Sequence, residues 1–126
     1  MPITATLDTI GHILRIEIVG TVTTEEITLA VDRSLETLEE DASCSILSDH
    51  RRITTPATVE QVEAFVEHLR RHAPAAHGRR WAIVTASPAS FGMMRMLSVL
   101  VERIPMTVQV LQDMAAAEQW LASPPA

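Results

Sequence analysis

The polar run Asp49-His50-Arg51-Arg52 contains the residue types best suited to chemistry in this chain. A histidine titrates near neutrality and can act as a general base, and an arginine can bind a carboxylate or phosphate through two parallel hydrogen bonds. Ser87-Pro88 is typical of a helix start, where unpaired N–H groups attract anions. If both segments follow parallel strands, they meet at the carboxyl-terminal edge of one sheet. We therefore predict a ligand-binding site at this edge, beside Thr85, formed by Asp49, His50, Arg51, Arg52, Ser87 and Ser90.

Three uses of such a site stay open from the residues. The favoured one is a non-enzymatic binding or regulatory module that acts through protein contacts or through a small anionic or lipophilic ligand. A second is a small enzyme in which His50 is the general base, Asp49 orients it, and Arg51 or Arg52 holds an anionic substrate. The third is a structural homodimer with no small ligand, formed through an exposed sheet edge or helix face.

The absence of catalytic signatures favours the first use. The chain has no Gly-x-Ser-x-Gly elbow, no phosphate-binding glycine loop and no Cys-x-x-Cys pair. Neighbouring residues of a strand point to opposite faces, which makes a pairing of Asp49 with His50 awkward. We therefore assign no catalytic residue, no metal and no cofactor.

His68 and His72 have the i, i+4 spacing that can bring two imidazoles to one metal ion. The glutamate that completes a His-Glu-x-x-His hydrolase motif is missing, and no third ligand is in sequence reach. A solvated basic helix end is the simpler interpretation, with the nearby arginines Arg70, Arg71, Arg79 and Arg80.

Two further features are more typical of a core than of a site. Met93, Met94 and Met96 surround Gly92 in a predicted helix, where they fill a core or line a lipophilic pocket, and Gly92 suggests a close approach of another element. Cys44 has no neighbouring histidine and reads as a small buried residue.

Composition narrows the class of protein. The chain has 126 residues, of which 47% are hydrophobic and 21% charged, which predicts one folded domain over residues 1–126. A formal charge of −6 with few aromatic rings argues against a nucleic-acid partner. One cysteine, no visible secretory signal and no apolar run long enough to cross a bilayer lead us to expect a cytoplasmic protein.

The periodicity of apolar residues predicts five strands and four helices. Residues 3–8 and 12–19 alternate around Gly11, as in an antiparallel hairpin. A third strand is expected at 45–48 before a polar loop at 49–52, a buried central strand at 81–84, and an edge strand at 106–110.

Capping residues place the helices between these strands. Thr23 with Glu26, Thr58 with Gln61, Ser87-Pro88 and Asp113 predict helix starts, and the third helix is expected to reach about Arg103. The order ββαβαβαβα predicts an α/β fold with a mixed five-stranded sheet, in which the hairpin is antiparallel and the other pairs are parallel.

The C-terminal half resembles a known family. The stretch WAIVTASPASFGMMRMLSVL (81–100), followed by VQVLQDMAAAEQWL (108–121), is similar to the SpoIIAA-like family, which is related to STAS domains. The closing features of that pattern are Val108, Val110, Asp113, Ala117, Trp120 and Leu121.

The resemblance implies an α/β fold and a regulatory role. Related STAS domains antagonise anti-sigma factors or regulate transporters and sensors, and the sigma-regulating members are phosphorylated on a serine in an Asp-Ser-x-Gly-like turn. Residues 48–56 contain no such turn and no glycine. Only Thr54 or Thr55 could substitute weakly for that serine.

Overall fold

The chain begins with an antiparallel hairpin, as its alternation predicts. The computed structural model describes residues 2–71, 74 and 77–123. Strands β1 (Ile3–Asp8) and β2 (Ile13–Gly20) pair antiparallel. Asp8 closes the turn, because its Oδ1 accepts hydrogen bonds from the backbone N–H groups of Ile10 and Gly11 at 3.1 and 3.0 Å.

Three parallel strands extend this hairpin into a five-stranded sheet. They are β3 (Ser45–Ile53), β4 (Arg80–Val84) and β5 (Thr107–Leu111). The strand order is β1-β2-β3-β4-β5, and every pair after the hairpin is parallel. The predicted mixed sheet and the edge position of the fifth strand are confirmed.

Four α-helices connect or follow the strands in the described residues: α1 (Thr24–Glu40), α2 (Val59–Arg71), α3 (Pro88–Leu100) and α4 (Met114–Ala122). A 3-10 turn at Val101–Arg103 continues α3, so the regular α-helix ends three residues before the predicted Arg103. None of the helices in the described part of the chain is long and apolar enough to cross a membrane.

The predicted caps begin these helices. Thr23 Oγ1 accepts from Glu26 N at 3.1 Å, and the Glu26 carboxylate accepts from Thr23 N at 2.9 Å. Thr58 and Gln61 form the same reciprocal pair at 3.0 and 3.1 Å. Each pair satisfies N–H groups that a helix start leaves free. The other two caps are Ser87 and Asp113.

The helices cover the two faces of the sheet unequally. Helices α1, α2 and α3 pack on one face, around the buried side chains of Ile46, Trp81 and Ile83. Helix α4 packs on the other face, where Ala117 contacts a smaller cluster that includes Leu47, Ala82 and Val84. Residues Trp81 to Val84 are therefore buried from both sides, as predicted for a central strand.

Arg79 and Arg80 correct one expectation, because they do not form a solvated basic surface. Arg79 is 7% exposed, and its guanidinium donates to the carbonyl oxygens of Leu38, Asp41 and Cys44 at 2.5, 2.7 and 2.9 Å. It thereby joins the end of α1 to the start of β3. Arg80 stacks over the Trp120 ring at 4.5 Å and donates to carbonyl oxygens at the end of α4.

The prediction for Gly92 is wrong, and the prediction for Cys44 agrees with the structure. A Cβ atom at Gly92 would meet nothing within 4 Å, so the expected close approach of another element is wrong. Cys44 is 2% exposed, and burial raises the pKa of its thiol. It is a core residue, as predicted.

Candidate functional site

Strand β3 is longer than the sequence predicted, and this changes the geometry of the site. The run 49–52 lies inside the strand, which ends at Ile53, and it is not a loop. Side chains of a strand alternate between the two faces of a sheet. The run therefore sends His50 to the face covered by α1 and α2, whereas Asp49 and Arg51 bond to each other and lie apart from it.

A cavity of about 150 Å³ lies between this face of the sheet and the helices. One wall is the apolar side of α1, including Ile27, Val31 and Leu35. The facing wall is the sheet, and α2 and α3 close the remaining sides. Among the described residues, twenty-five line the cavity, and none of these is Asp, Glu, Lys or Arg. The cavity is therefore apolar and uncharged apart from a few hydroxyl, amide and imidazole groups.

The floor of this cavity contains a buried polar group of three side chains: Ser48, His50 and Trp81. The indole Nε1–H of Trp81 donates to Ser48 Oγ at 2.9 Å. His50 Nε2 lies 2.9 Å from the same oxygen. These side chains are 2%, 8% and 7% exposed, and all three line the cavity.

The need to satisfy every buried polar group assigns the direction of the second hydrogen bond. Ser48 is 2% exposed, and among the described residues its Oγ has two partners, Trp81 Nε1–H, which can only donate, and His50 Nε2. The Ser48 O–H therefore finds an acceptor only if it donates to His50 Nε2. Nε2 is then the acceptor nitrogen of a neutral imidazole, and Nδ1 carries the proton. Among residues 2–71, 74 and 77–123, no partner bonds to Nδ1.

Burial, more than any neighbour, determines the charge state of His50. It lowers the pKa of the imidazole from 6.5 to about 4, and the Asp49 charge opposes this shift only in part. A histidine with such a pKa is a weak base, and no carboxylate in the described residues bonds to it. Both features favour a structural hydrogen-bonded pair of Ser48 and His50 over an activated nucleophile with its base.

A β-bulge explains why the cavity face of β3 is irregular. Glu17 pairs with Asp49, and Val19 pairs with Arg52, so β3 contains one more residue than β2 between these positions. An extra residue shifts the alternation of the bulged strand. As a result, His50 and Ile53 both line the cavity although they are three residues apart.

The predicted anion-binding arginines are occupied by carboxylates. Arg51 donates through Nε and Nη2 to the two carboxylate oxygens of Asp49, each at 2.9 Å, and this holds the pKa of Asp49 below its usual value. Arg52 Nη1 lies 3.8 Å from a carboxylate oxygen of Glu17. The structure does not join these arginines to His50 in one pocket.

The predicted site residues Ser87 and Ser90 lie in different environments. Ser87 is exposed, and its hydroxyl caps α3 by accepting from Ser90 N at 3.1 Å. Ser90 is 6% exposed and lines the cavity with His50. Nearby, Thr85 is fully buried, and its Oγ1 has no hydrogen-bond partner in the described part of the chain.

The predicted histidine pair does not form a metal centre in the described residues. His68 Nε2 lies 2.6 Å from Asp32 Oδ1, a contact between α2 and α1. His72 lies outside the described residues. Within those residues, no group of three or more His, Cys, Asp or Glu side chains could hold a metal ion.

Of the residues that sequence reasoning named for a site, His50 and Ser90 line the cavity, whereas Ser48, Trp81 and the cavity itself were not predicted. The available signal was the spacing of Ile46, Ser48 and His50, which places polar groups on the apolar face of one strand. Met94 was named as a pocket or core residue, and it both lines the cavity and belongs to the core.

Comparison with known proteins agrees with this fold. The sequence profile of the SpoIIAA-like family matches residues 13–122. The chain belongs to the SpoIIAA-like family. SpoIIAA-like domains are typically non-enzymatic, and membership suggests a regulatory module that contacts proteins.

A crystal structure supports the same fold independently. An uncharacterised protein of the DUF3478 family from Shewanella loihica, which has a SpoIIAA-like fold, superposes with a TM-score of 0.59. It is 17% identical, and the alignment covers 94% of this SpoIIAA-like chain and 91% of the Shewanella chain. No functionally curated protein is significantly similar in sequence.

The buried imidazole makes stability depend on pH in a defined window. The pKa of His50 is lower in the folded state, about 4, than the ordinary 6.5, so the unfolded chain binds the proton more tightly. We expect the contribution of the neutral His50 imidazole to the free energy of unfolding to be complete above pH 6.5. This contribution, about 3 kcal/mol in total, should be lost as the pH falls from 6.5 to about 4. Urea unfolding at pH 7, 6 and 5 measures this slope.

A second titrating group and a control variant matter for this experiment. A hydrogen bond from His12 lowers the pKa of Asp41 to about 2, so the contribution of Asp41 is lost only below the window of His50. Replacing the exposed His77 with alanine should leave the slope unchanged. An NMR titration that placed the His50 pKa above 6 would contradict the assignment.

Proposed function

We propose that this SpoIIAA-like protein is a non-enzymatic regulatory module, formed by residues 1–126 as one domain, that binds a small lipophilic molecule in the cavity beneath α1. The observation that carries the proposal is the cavity of about 150 Å³, which is lined mostly by apolar side chains and by no charged side chain among the described residues. Apolar pockets with a few polar groups are the usual form of small-molecule sites. Of the predicted site residues, His50 and Ser90 belong to this proposal.

The size of the cavity indicates the size of the molecule. A dry cavity of roughly 150 Å³ accommodates a molecule of about the size of benzene. The cavity in its present shape thus suits a single ring or a short branched chain, and a long acyl chain would need the helices to move apart.

The entrance is most plainly at the segments that follow β2 and β3. Thr55 is the one exposed residue among those that line the cavity. Its hydroxyl lies 3.0 Å from Thr21 Oγ1, and Gln61 Nε2 donates to the Val22 carbonyl at 3.1 Å. These contacts join the segments that surround the mouth.

The alternative uses of the site have less support. An enzyme needs His50 to accept a proton near neutral pH, and burial lowers its pKa to about 4. An anionic ligand needs free cations, and Arg51 and Arg52 each face a carboxylate. The homodimer and a protein partner stay predictions.

Benzene titration, followed by amide shifts in NMR spectra, tests the proposal. We expect saturable shifts for α1 residues that line the cavity, such as Ala30 and Ser34. Ala30→Leu should fill part of the cavity and weaken benzene binding about tenfold or more, because the ligand and the new side chain compete for the same volume. Ala64→Leu on the exposed side of α2 is the matched control and should bind as the wild type does. Shifts that do not saturate, or equal binding by both variants, would contradict the proposal.

A further inference from the structure

We infer that the cavity selects uncharged lipophilic molecules that carry one hydrogen-bond acceptor, such as a small cyclic ketone, and that the Nδ1–H group of His50 binds this acceptor. This inference rests on the proposed function and specifies the class of ligand. It follows from two observations. Several polar groups of the lining already have hydrogen-bond partners, and the described lining residues carry no charged side chain.

On the cavity floor, His50 Nδ1–H is a donor without a protein partner among the described residues. Trp81 Nε1–H is used by Ser48, and the Ser48 hydroxyl is used by His50 Nε2. The second imidazole nitrogen must therefore carry a proton, and no described residue accepts it. Among the described residues Thr85 Oγ1 is the one fully enclosed side-chain polar atom without a partner, so His50 Nδ1 remains open to contact. An acceptor atom on a ligand can therefore form a hydrogen bond with this N–H that no described side chain supplies.

The other polar groups at the cavity are less suited to this role. The Gln61 side chain already bonds to Thr58 N and to the Val22 carbonyl. The Thr55 hydroxyl bonds to Thr21 at the mouth. Ser34 and Ser90 add hydroxyl groups, but a hydroxyl can rotate to donate or to accept and does not discriminate between ligand groups as a fixed N–H does.

The absence of charge in the lining excludes an ionised ligand. A carboxylate that enters the cavity would lose its hydration shell and meet no cation, since none of the lining residues that the structure describes is Arg or Lys. His50 is a poor source of positive charge, because its 8% exposure leaves little water to stabilise an imidazolium. The cavity should therefore reject fatty or aromatic carboxylates and accept neutral molecules of the same shape.

Three probes of one shape test the inference: cyclohexanone, methylenecyclohexane and cyclohexanecarboxylate. A ketone is better hydrated than an alkene, so the informative quantity is the ratio of the two dissociation constants in wild type compared with His50→Phe. We expect the relative preference for the ketone to fall about tenfold in His50→Phe, the value of one hydrogen bond to a previously unpaired donor. Ser34→Ala removes a lining hydroxyl from the opposite wall and should keep the wild-type ratio.

A measurement on the wild type keeps the test decisive if His50→Phe does not fold. In protein labelled with ¹⁵N in its histidine side chains, the Nδ1 resonance of His50 should move on saturation with cyclohexanone and stay in place with methylenecyclohexane. Cyclohexanecarboxylate at pH 7 should bind at least about tenfold more weakly than the ketone.

The outcomes separate this inference from the proposed function. If ketone and alkene both bind and the Nδ1 resonance responds equally to both, the inference is wrong and lipophile binding stands. Carboxylate binding as tight as that of the ketone would also overturn it. If none of the probes, benzene included, binds saturably, the proposed function itself fails.

Discussion

Arg79→Ala should lower the free energy of unfolding by about 3–5 kcal/mol. The guanidinium is buried and donates to the carbonyl groups of Leu38, Asp41 and Cys44. Alanine would remove one donor from each of these carbonyl groups, although those of Leu38 and Asp41 also accept a backbone N–H, and it would release the connection from α1 to β3. Urea unfolding at pH 7 measures the difference.

Arg70→Ala is the matched control. Arg70 is also paired, to Glu67 one turn earlier on α2, but both side chains are largely exposed. An exposed ion pair of this kind contributes less than about 1 kcal/mol. Equal losses in Arg70→Ala and Arg79→Ala would show that the carbonyl contacts of Arg79 contribute little.

Ser48→Ala should destabilise the protein by about 2–4 kcal/mol, because two buried groups lose their partner at once. The indole N–H of Trp81 would have no acceptor, and His50 Nε2 would have no donor. The substitution removes only one oxygen atom, so the loss of packing is small. Thermal and urea unfolding should agree on the sign, and the cavity should remain.

Thr85→Val is the informative comparison for Ser48. Both residues carry a buried hydroxyl, but Thr85 Oγ1 has no hydrogen-bond partner in the described part of the chain. Valine keeps the shape and removes the unsatisfied group, so we expect stability to rise by up to about 1 kcal/mol. Equal destabilisation by Ser48→Ala and Thr85→Val would show that the hydrogen bonds of Ser48 to Trp81 and His50 do not stabilise the protein.

These two predictions also bear on function. Ser48 holds His50 in the tautomer that presents Nδ1–H to the cavity, so Ser48→Ala should weaken the preference for a ketone as well as the fold. Arg79 lies at the opposite end of β3 from His50, and its substitution should change stability without changing that preference.

The sequence by itself determined the order and the kind of elements. Alternation over residues 3–8, the buried run 81–84 and the caps at Thr23 and Thr58 are local signals, since each depends on residues at most a few positions apart. The fold class followed from these signals, and the strand topology confirms it. The family came from the resemblance of residues 81–100 and 108–121 to SpoIIAA-like sequences, and the family profile confirms it.

Only the tertiary structure decided which side chains meet. The strand β3 continues through the polar run 49–52 because β2 supplies its hydrogen-bond partners, and a bulge opposite Glu17 and Val19 then determines which side chains reach the cavity. The burial of Arg79 likewise depends on carbonyl groups about 35 to 41 residues away in the chain. The cavity exists because of the spacing between α1 and the sheet. Packing between elements that are remote in the chain sets this spacing, and no local stretch of sequence determines it.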